Sequence, residues 1–335
     1  MKRGRLLILS PTFHGYWRPI EAAFQRLGWE TSTCCYDDVP GLWDKVQVKL
    51  RSELPMRLGG DGSALLVAQH TGQAHAAIDQ AQPDRVLVIK GDTLGSSVLE
   101  RLAQHKVPRS LWVYDELRRM RHTPASLGQY DSVASYSALD TAHLVESGHR
   151  ALHLPLAFDS ELAFTPVSLP EISFIGARYP TREQLLFQLD QAGVQLRAYG
   201  RQWSSHPIDR LRTWRLRSAP IPAHRDLSRA DAYAVMAGSP ATLNLHGDQD
   251  GFTMRTFEAA GVGGVELVDR ADITDYYDPG AEVLPYAELD ELVELIGRIR
   301  RDHRWTAGIR NAARQRTLAE HTFSHRATAM ERCWA

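Results

Sequence analysis

The residues from Asp250 to Gly264 carry types and spacings that could seat a diphosphate. After Gly251 the pattern turns helical, with Phe252, Thr256 and Ala260 recurring at spacings of four,. The first amides of a helix have no partner inside it, and the helix dipole adds partial positive charge there. Those amides, with the Arg255 guanidinium beside them, make a seat for a phosphorylated group. Glu258 lies one turn further in, where a carboxylate can accept hydrogen bonds from sugar or ribose hydroxyls.

Two strands must hold this helix. Ala241-Thr242-Leu243-Asn244-Leu245-His246 reads as a buried strand closed by Gly247-Asp248,. The glycines at 261, 263 and 264 end the helix, and Val265 to Val268 opens the next strand,. The start of the chain repeats the arrangement. Leu6 to Leu9 is a strand, Ser10 to Gly15 a loop, Arg18 to Leu27 a helix with Ile20, Ala23, Phe24 and Leu27 on one face, and Thr31 to Tyr36 a strand,. In such Rossmann-like units ligands sit at the carboxyl ends of the strands. His14 and Gly15 stand at one, either meeting a ligand or forming a tight turn with a solvated His.

Residues 42–58 and 63–81 read as helices parted by a Gly-rich turn,. The first mixes Trp43 and Val46 with Lys45, Lys49 and Arg51, as a solvated face with snorkelling lysines does,. Arg85 to Ile89, Ser110 to Tyr114, Val133 to Tyr136 and Ala151 to Leu156 continue the strands. Asp92, Asp115 and Glu116 follow strand ends at the rim. One of them is a candidate general base if the reaction inverts configuration; the competing role for Asp92 and Asp115 is helix capping, Asp92 ahead of a helix from Thr93 to Gln104,. After a Pro-bearing linker, a second series begins with Ile172 to Gly176. A helix over Thr181 to Gln191 and a strand over Gln195 to Tyr199 follow, then a helix over Asp226 to Ala237,. Beyond the central stretch, Ile273 to Tyr277, Glu282 to Tyr286 and Leu289 to Arg300 read as helix, strand and helix.

At 335 residues the chain is long enough for two α/β domains, and its formal net charge of −1 gives no basic field for nucleic acid,. The Arg-rich run from Arg210 to Arg217 therefore reads as a solvated segment,. The apolar run at Leu6 to Leu9 is too short to span a membrane or serve as a signal core,. Three cysteines, without metal-type spacing, suit reduced thiols in a cytoplasmic protein,. No spaced-glycine dinucleotide fingerprint is present.

Several of these stretches together resemble the CgeB-like group of GT-B glycosyltransferases, of the retaining family 4 type. The carriers are Leu154-Pro155-Leu156-Ala157-Phe158-Asp159, Phe174 to Gly176, Tyr179-Pro180 with Arg182, Tyr199-Gly200 with Trp203, the 250–264 stretch, Pro279-Gly280 after Tyr276-Tyr277, and His321-Thr322-Phe323 with Arg326. The motifs run in order from Ile172 to Arg326. In the first 158 residues the resemblance is mostly architectural. It implies an α/β fold with two Rossmann-like domains facing across a cleft. Residues 1–158 would bind the acceptor, residues 168–319 the nucleotide sugar, and residues 320–335 would form a helix crossing back to the first domain.

The activity implied is transfer of a sugar from a nucleoside-diphosphate donor, a UDP-sugar first, with retention and without a metal or cofactor. Gly176, Arg178, Arg182, Arg255 and the backbone from Gly251 through Phe252, Thr253, Met254, Arg255 and Thr256 would hold the leaving diphosphate. Gly200 and Trp203 would pack the nucleobase, with burial of Trp203 in the core as the alternative. Glu258 would hold the ribose and Asp250 the transferred sugar. His14 and Gly15 would meet the sugar or diphosphate, and Asp92 and Asp115 would line the acceptor side. The family's first Glu falls here on Asp250, and its assisting Lys has no counterpart, a place Arg255 would take. Two other readings stay open: a degenerate nucleotide-sugar-binding scaffold, and a nucleotide-sugar epimerase of the same fold. The acceptor, whether glycan, protein, small metabolite or modified base, is not named by any motif.

Overall fold

Leu6, Leu7, Ile8 and Leu9 are all buried, as a strand covered on both faces requires,. In the computed structural model they lie in β1 (Arg5–Ser10). The structure describes residues 3–38, 63–215 and 217–334. The helix expected over residues 42–58 lies outside them. The chain divides into two units, one running to Pro155 and taking in Phe323–Ala335, the other Leu156–Thr322.

In the first unit β1 is followed by α1 (Trp17–Arg26), β2 (Glu30–Cys35), α2 (Ser63–Ala81), β3 (Arg85–Ile89) and α3 (Ser96–Gln104). Next come β4 (Arg109–Val113), α4 (Pro124–Leu127), β5 (Ser132–Ser135), α5 (Ala138–Glu146) and β6 (Ala151–His153). The sheet is parallel, in the order β2-β1-β3-β4-β5-β6. Helix α1 buries Ile20, Ala23 and Phe24, the stripe its spacing implies,. Helix α3 starts at Ser96 rather than Thr93, because Gly95 is the N-cap and its amide donates to Thr71 Oγ1 at 2.8 Å.

The second unit runs β7 (Ile172–Ile175), α6 (Pro180–Gln191), β8 (Leu196–Tyr199), α7 (Pro207–Thr213), β9 (Ala223–His224), α8 (Arg229–Gly238) and β10 (Thr242–Asn244). It ends with α9 (Met254–Gly261), β11 (Glu266–Val268), β12 (Leu284–Pro285), α10 (Leu289–Arg301) and α11 (His303–Glu320). Its sheet is also parallel, in the order β12-β11-β10-β7-β8-β9. Strand β10 stops at Asn244, short of the expected His246, since the His246 amide leaves the ladder for the Asp269 carboxylate, 2.9 and 3.0 Å away. The helix expected over Ile273 to Tyr277 is a 3₁₀ turn, Ala271–Asp275.

The last helix, α12 (Phe323–Trp334), belongs to the first unit. Phe24 stacks on Trp334 with ring centroids 5.2 Å apart, Trp29 Nε1 donates to Glu331 Oε1 at 2.8 Å, and Arg326 Nε donates to the Pro155 carbonyl at 2.8 Å. In the second unit the Phe158 amide donates to the His321 carbonyl at 2.8 Å. The His321 ring packs on Phe257, Tyr276 and Tyr277, a packing role rather than a ligand's.

Candidate functional site

Strand order fixes where a ligand belongs. In the second unit the chain leaves β7 towards β8 and β9, then returns to build β10, β11 and β12 on the other side. The topological switch point therefore lies between β7 and β10, at their carboxyl ends. Arg182, in the first turn of α6, joins the two: Nη1 donates to the Ala177 carbonyl at 3.4 Å and Nη2 to the Leu245 carbonyl. After β10 the chain loops through Asp250 and Gly251 and enters α9. Thr253 is the N-cap with extended backbone, and no side chain caps the helix. The Thr253 hydroxyl turns instead to Asn244 Oδ1, 3.4 Å away, so the cap side chain does not fill the seat that the first-turn amides form,.

The side chains around this seat are tightly held. Glu258 is fully buried, and Arg255 Nη1 donates to its Oε2 at 2.5 Å. Phe252 is buried edge-on to His246, with ring centroids 5.0 Å apart, and carries the Arg270 guanidinium 4.2 Å above its ring. Arg270 Nη1 also donates to the Gln249 carbonyl at 2.8 Å, tying down the loop that carries the half-buried Asp250. Met254 and Thr256 are buried; Thr256 faces the sheet, not the seat.

Beneath the helix lies a polar network that the sequence reading did not single out. Asn244 Nδ2 donates to Thr256 Oγ1 at 2.6 Å and to Glu266 Oε1 at 2.7 Å. His246 places Nε2 3.2 Å from Thr256 Oγ1 and Nδ1 2.9 Å from Asp269 Oδ1. Burial would push the Asp269 carboxyl up, but the hydrogen bonds from His246 hold it below its ordinary value. Burial drives Glu266 the other way, from 4.5 to about 8, with the Asn244 amide opposing. The signal was present: Asn244 and His246 interrupt an apolar strand pattern, and a polar side chain in a covered strand needs a partner.

Three expected contacts take other roles. Trp203 is 1 % exposed, so its ring is not open to stack on a nucleobase. It packs edge-on to Phe174 in the core, and its Nε1 donates to the Gly176 carbonyl at 2.9 Å. Gly200 has φ 149°, and a Cβ there would lie 2.8 Å from that same carbonyl. Both residues thus fix the end of β7. Arg178 is buried; it donates to both Glu183 carboxylate oxygens, at 3.0 and 2.6 Å, and to the carbonyls of Arg217 and Ser218. Those bonds make it a brace for its loop, whereas Arg255 lies in the first turn of α9 and Arg270 reaches the Gly251 carbonyl ahead of it.

The first unit has its own switch point, between β1 and β3,. His14 is exposed there in a left-handed turn, φ 49°, with its ring edge-on to Phe13, and Gly15 follows at φ 75°. A pocket of about 80 Å³ opens at the same strand ends, lined by residues that include Phe13, Trp17, Ile20, Lys90 and Asp115. Burial and the neighbouring carboxylate of Glu116 push the Asp115 carboxyl up. Glu116 itself is fully buried between Tyr136 Oη, donating at 2.6 Å, and Arg119 Nε at 2.7 Å, so it is structural. Asp92 caps no helix, and its Oδ1 is buried without a hydrogen-bond partner among the described residues. Among the described residues no cluster of three or more His, Cys, Asp or Glu could hold a metal ion. No helix among them is long and apolar enough to cross a membrane.

Solved structures share this overall fold. Sucrose-phosphate synthase from Thermosynechococcus elongatus aligns over 99% of this chain and 98% of its own, with a TM-score of 0.64 at 14% identity. Anabaena HepE, solved in complex with UDP-glucose, aligns over 99% of both chains with a TM-score of 0.63 at 12% identity. The fold is GT-B. A GT-B neighbour of another activity class is a Listeria monocytogenes protein assigned as UDP-N-acetylglucosamine 2-epimerase, with a TM-score of 0.61 at 11% identity over 98% of this chain and 94% of that one. Within the GT-B chain, residues 181–332 match the family model described as glycosyl transferase-like. That segment contains Arg182, the seat at α9 and the network beneath it. No curated protein sequence matches the chain.

Proposed function

We propose that the chain transfers a glycosyl group from a nucleoside-diphosphate sugar, a UDP-sugar first, to an acceptor held by the first unit. The observation that carries this reading is the uncapped start of α9 beside the β7 and β10 ends, with Arg182 and Arg255 close by. Amides and guanidinium groups fixed there would meet the charge that develops on the departing diphosphate, without reorganising as the bond breaks. Glu258 is as buried as Trp203, so in place of the expected ribose contact it would fix the Arg255 guanidinium beside the diphosphate, and Asp250 would take hydroxyls of the transferred sugar. Retention, and turnover without a metal, complete the proposal. They rest on the resemblance and on the cationic groups at the seat.

Thermal-shift titration against UDP, other nucleoside diphosphates and UDP-sugars tests the reading, with Glu258→Ala alongside. Ligand at a hundred times its dissociation constant stabilises the native state by about 2.7 kcal/mol. UDP should stabilise the wild type, and the variant, its own melting point lowered by loss of a fully buried, Arg-paired carboxylate, should lose that effect,. A protein indifferent to every nucleotide would overturn the proposal in favour of a scaffold. The epimerase reading separates by product: UDP-sugar consumed without acceptor, yielding an epimer, would favour it over transfer. Anomeric configuration of a transferred sugar, read by NMR, decides retention, and unchanged turnover in EDTA decides the metal.

A further inference from the structure

Composition reads the run from Arg210 to Arg217 as a solvated segment, and the structure adds an apolar side to it. Ile208, Leu211 and Trp214, spaced three apart along α7 and its C-cap, are 52%, 69% and 65% exposed. No other described stretch of seven residues leaves three large apolar side chains in solvent. Single exposed apolar residues need no explanation, but a cluster of them marks an interaction site. Trp214 adds a second sign. It caps the helix in the left-handed region, at φ 55° and ψ 22°, where a bulky residue is an outlier that only its surroundings can impose,. Those surroundings are specific. Asp209, buried in α7, takes two bonds from Arg225, at 2.7 and 3.2 Å. Past the cap, Arg178 holds the carbonyls of Arg217 and Ser218 at 3.2 and 3.3 Å, and Arg215 Nη2 donates to the Arg178 carbonyl at 3.0 Å. The segment is thus braced at both ends with its apolar stripe outward. Its exposed charge is of one sign: Arg212 and Arg217 are exposed, while its own acid, Asp209, is buried against Arg225. Glu183, which lies in the field of Arg215, is engaged at both oxygens by Arg178.

We propose that α7 and the turn after it dock this unit on an anionic membrane surface. Ile208, Leu211 and Trp214 enter the boundary between headgroups and acyl chains, and Arg212 and Arg217 lie among the lipid phosphates. An apolar stripe flanked by arginines is the composition of helices that lie in that boundary, and Trp favours its depth. Each arginine held near an anionic surface strengthens the attachment. A second copy of the chain fits less well, because an isologous contact would set these arginines against one another. Three side chains also fall well short of the ~800 Å² per partner that a stable contact between folded chains uses. A bilayer asks for no complementary shape, only for apolar tips that reach it. The inference is independent of the glycosyl-transfer reading, since docking needs no nucleotide.

Co-sedimentation of the full chain with vesicles tests it, using phosphatidylcholine alone and phosphatidylcholine mixed with phosphatidylglycerol. The protein should pellet with the mixed vesicles, at least fivefold less with phosphatidylcholine alone, and less as salt rises. Trp214→Gly should bind the mixed vesicles at least fivefold more weakly yet melt no lower than the parent, because glycine adopts φ 55° without strain,. Leu211→Ser should weaken binding in the same way. Arg212→Gln combined with Arg217→Gln should bring mixed vesicles down towards the level of phosphatidylcholine alone. A parent that ignores the mixed vesicles overturns the inference, as does undiminished binding by Trp214→Gly. A dimer in sedimentation velocity that Trp214→Gly dissolves, in a protein that ignores vesicles, overturns it and gives the stripe to a second copy. Binding of a single-stranded oligonucleotide in place of vesicles overturns it in favour of nucleic acid.

Discussion

Replacing Glu266 by Gln removes a titration without removing a shape, and its effect on stability follows from the buried network. Glu266 is fully buried in β11, accepts from Asn244 Nδ2 at 2.7 Å, and has its carboxyl raised from 4.5 to about 8. The unfolded chain releases this proton near 4.5, while the folded chain holds it until about 8. Between those values the unfolded state binds fewer protons, so stability falls as pH rises; below and above the window the contribution is flat. At about 1.4 kcal/mol per pH unit, the full window is worth roughly 5 kcal/mol and the span from pH 5 to pH 8 roughly 3–4 kcal/mol. Glu266→Gln keeps an oxygen for Asn244 and titrates nowhere in this range. For a unit of this size, about 2–4 °C per kcal/mol puts the divergence of melting temperatures on the order of 10 °C. Calorimetry of both proteins at pH 5, 6, 7 and 8 should show the variant gaining on the parent at each step. Parallel pH profiles would refute the account, because they would mean that Glu266 titrates alike in both states.

Other perturbations separate bracing from binding. A Cβ on Gly261 would lie 2.4 Å from the Phe158 ring, so Gly261→Ala should cost about 1–3 kcal/mol by overpacking, visible in urea unfolding,. Trp203→Phe removes the indole bond to the Gly176 carbonyl and should lower stability by about 1 kcal/mol, leaving the ratio of UDP to ADP affinity unchanged,. A changed ratio would return the ring to the nucleobase. Arg182→Ala removes the cation that bridges the β7 and β10 ends, and its UDP affinity by calorimetric titration should fall at least tenfold, more than in Arg178→Ala per degree of melting temperature lost,.

The fold was legible because parallel strands buried on both faces leave continuous apolar runs, as at Leu6 to Leu9 and Val86 to Ile89,. The helix start at α9 was legible because Gly251 and the fourfold spacing after it are local signals. Trp203 and Arg178 were harder. A Trp and an Arg beside a strand end serve a nucleotide or the core equally well on local pattern. Only the long-range partners, Phe174 across the sheet and the carbonyls at 217 and 218, separate the two roles. Asp92 failed in the opposite direction: a capping reading was natural, but Gly95 takes the cap and leaves the carboxylate oxygen buried without a partner among the described residues. Glu266 was placed in its strand by pattern, yet nothing local says that Asn244 and Thr256 lie beside it.

That network bears on the site as well as on stability. Thr256, in the first turn of α9, reaches Asn244, and Asn244 reaches Glu266, so the carboxyl lies two hydrogen bonds from the helix that would carry a diphosphate. An ionised Glu266 would set negative charge beneath an anion seat in a medium of low dielectric, where repulsion is poorly screened. Burial keeps the group neutral at neutral pH, and the one carboxylate of the network held ionised, Asp269, is matched to His246. On the proposed function, UDP affinity in the parent should therefore weaken as pH rises through about 8, beyond any change in UDP itself, while Glu266→Gln holds its affinity flat. Isothermal titration from pH 7 to pH 9 reads both. If the two proteins lose affinity in step, the carboxyl does not feel the ligand, and the network supports the helix by its hydrogen bonds alone.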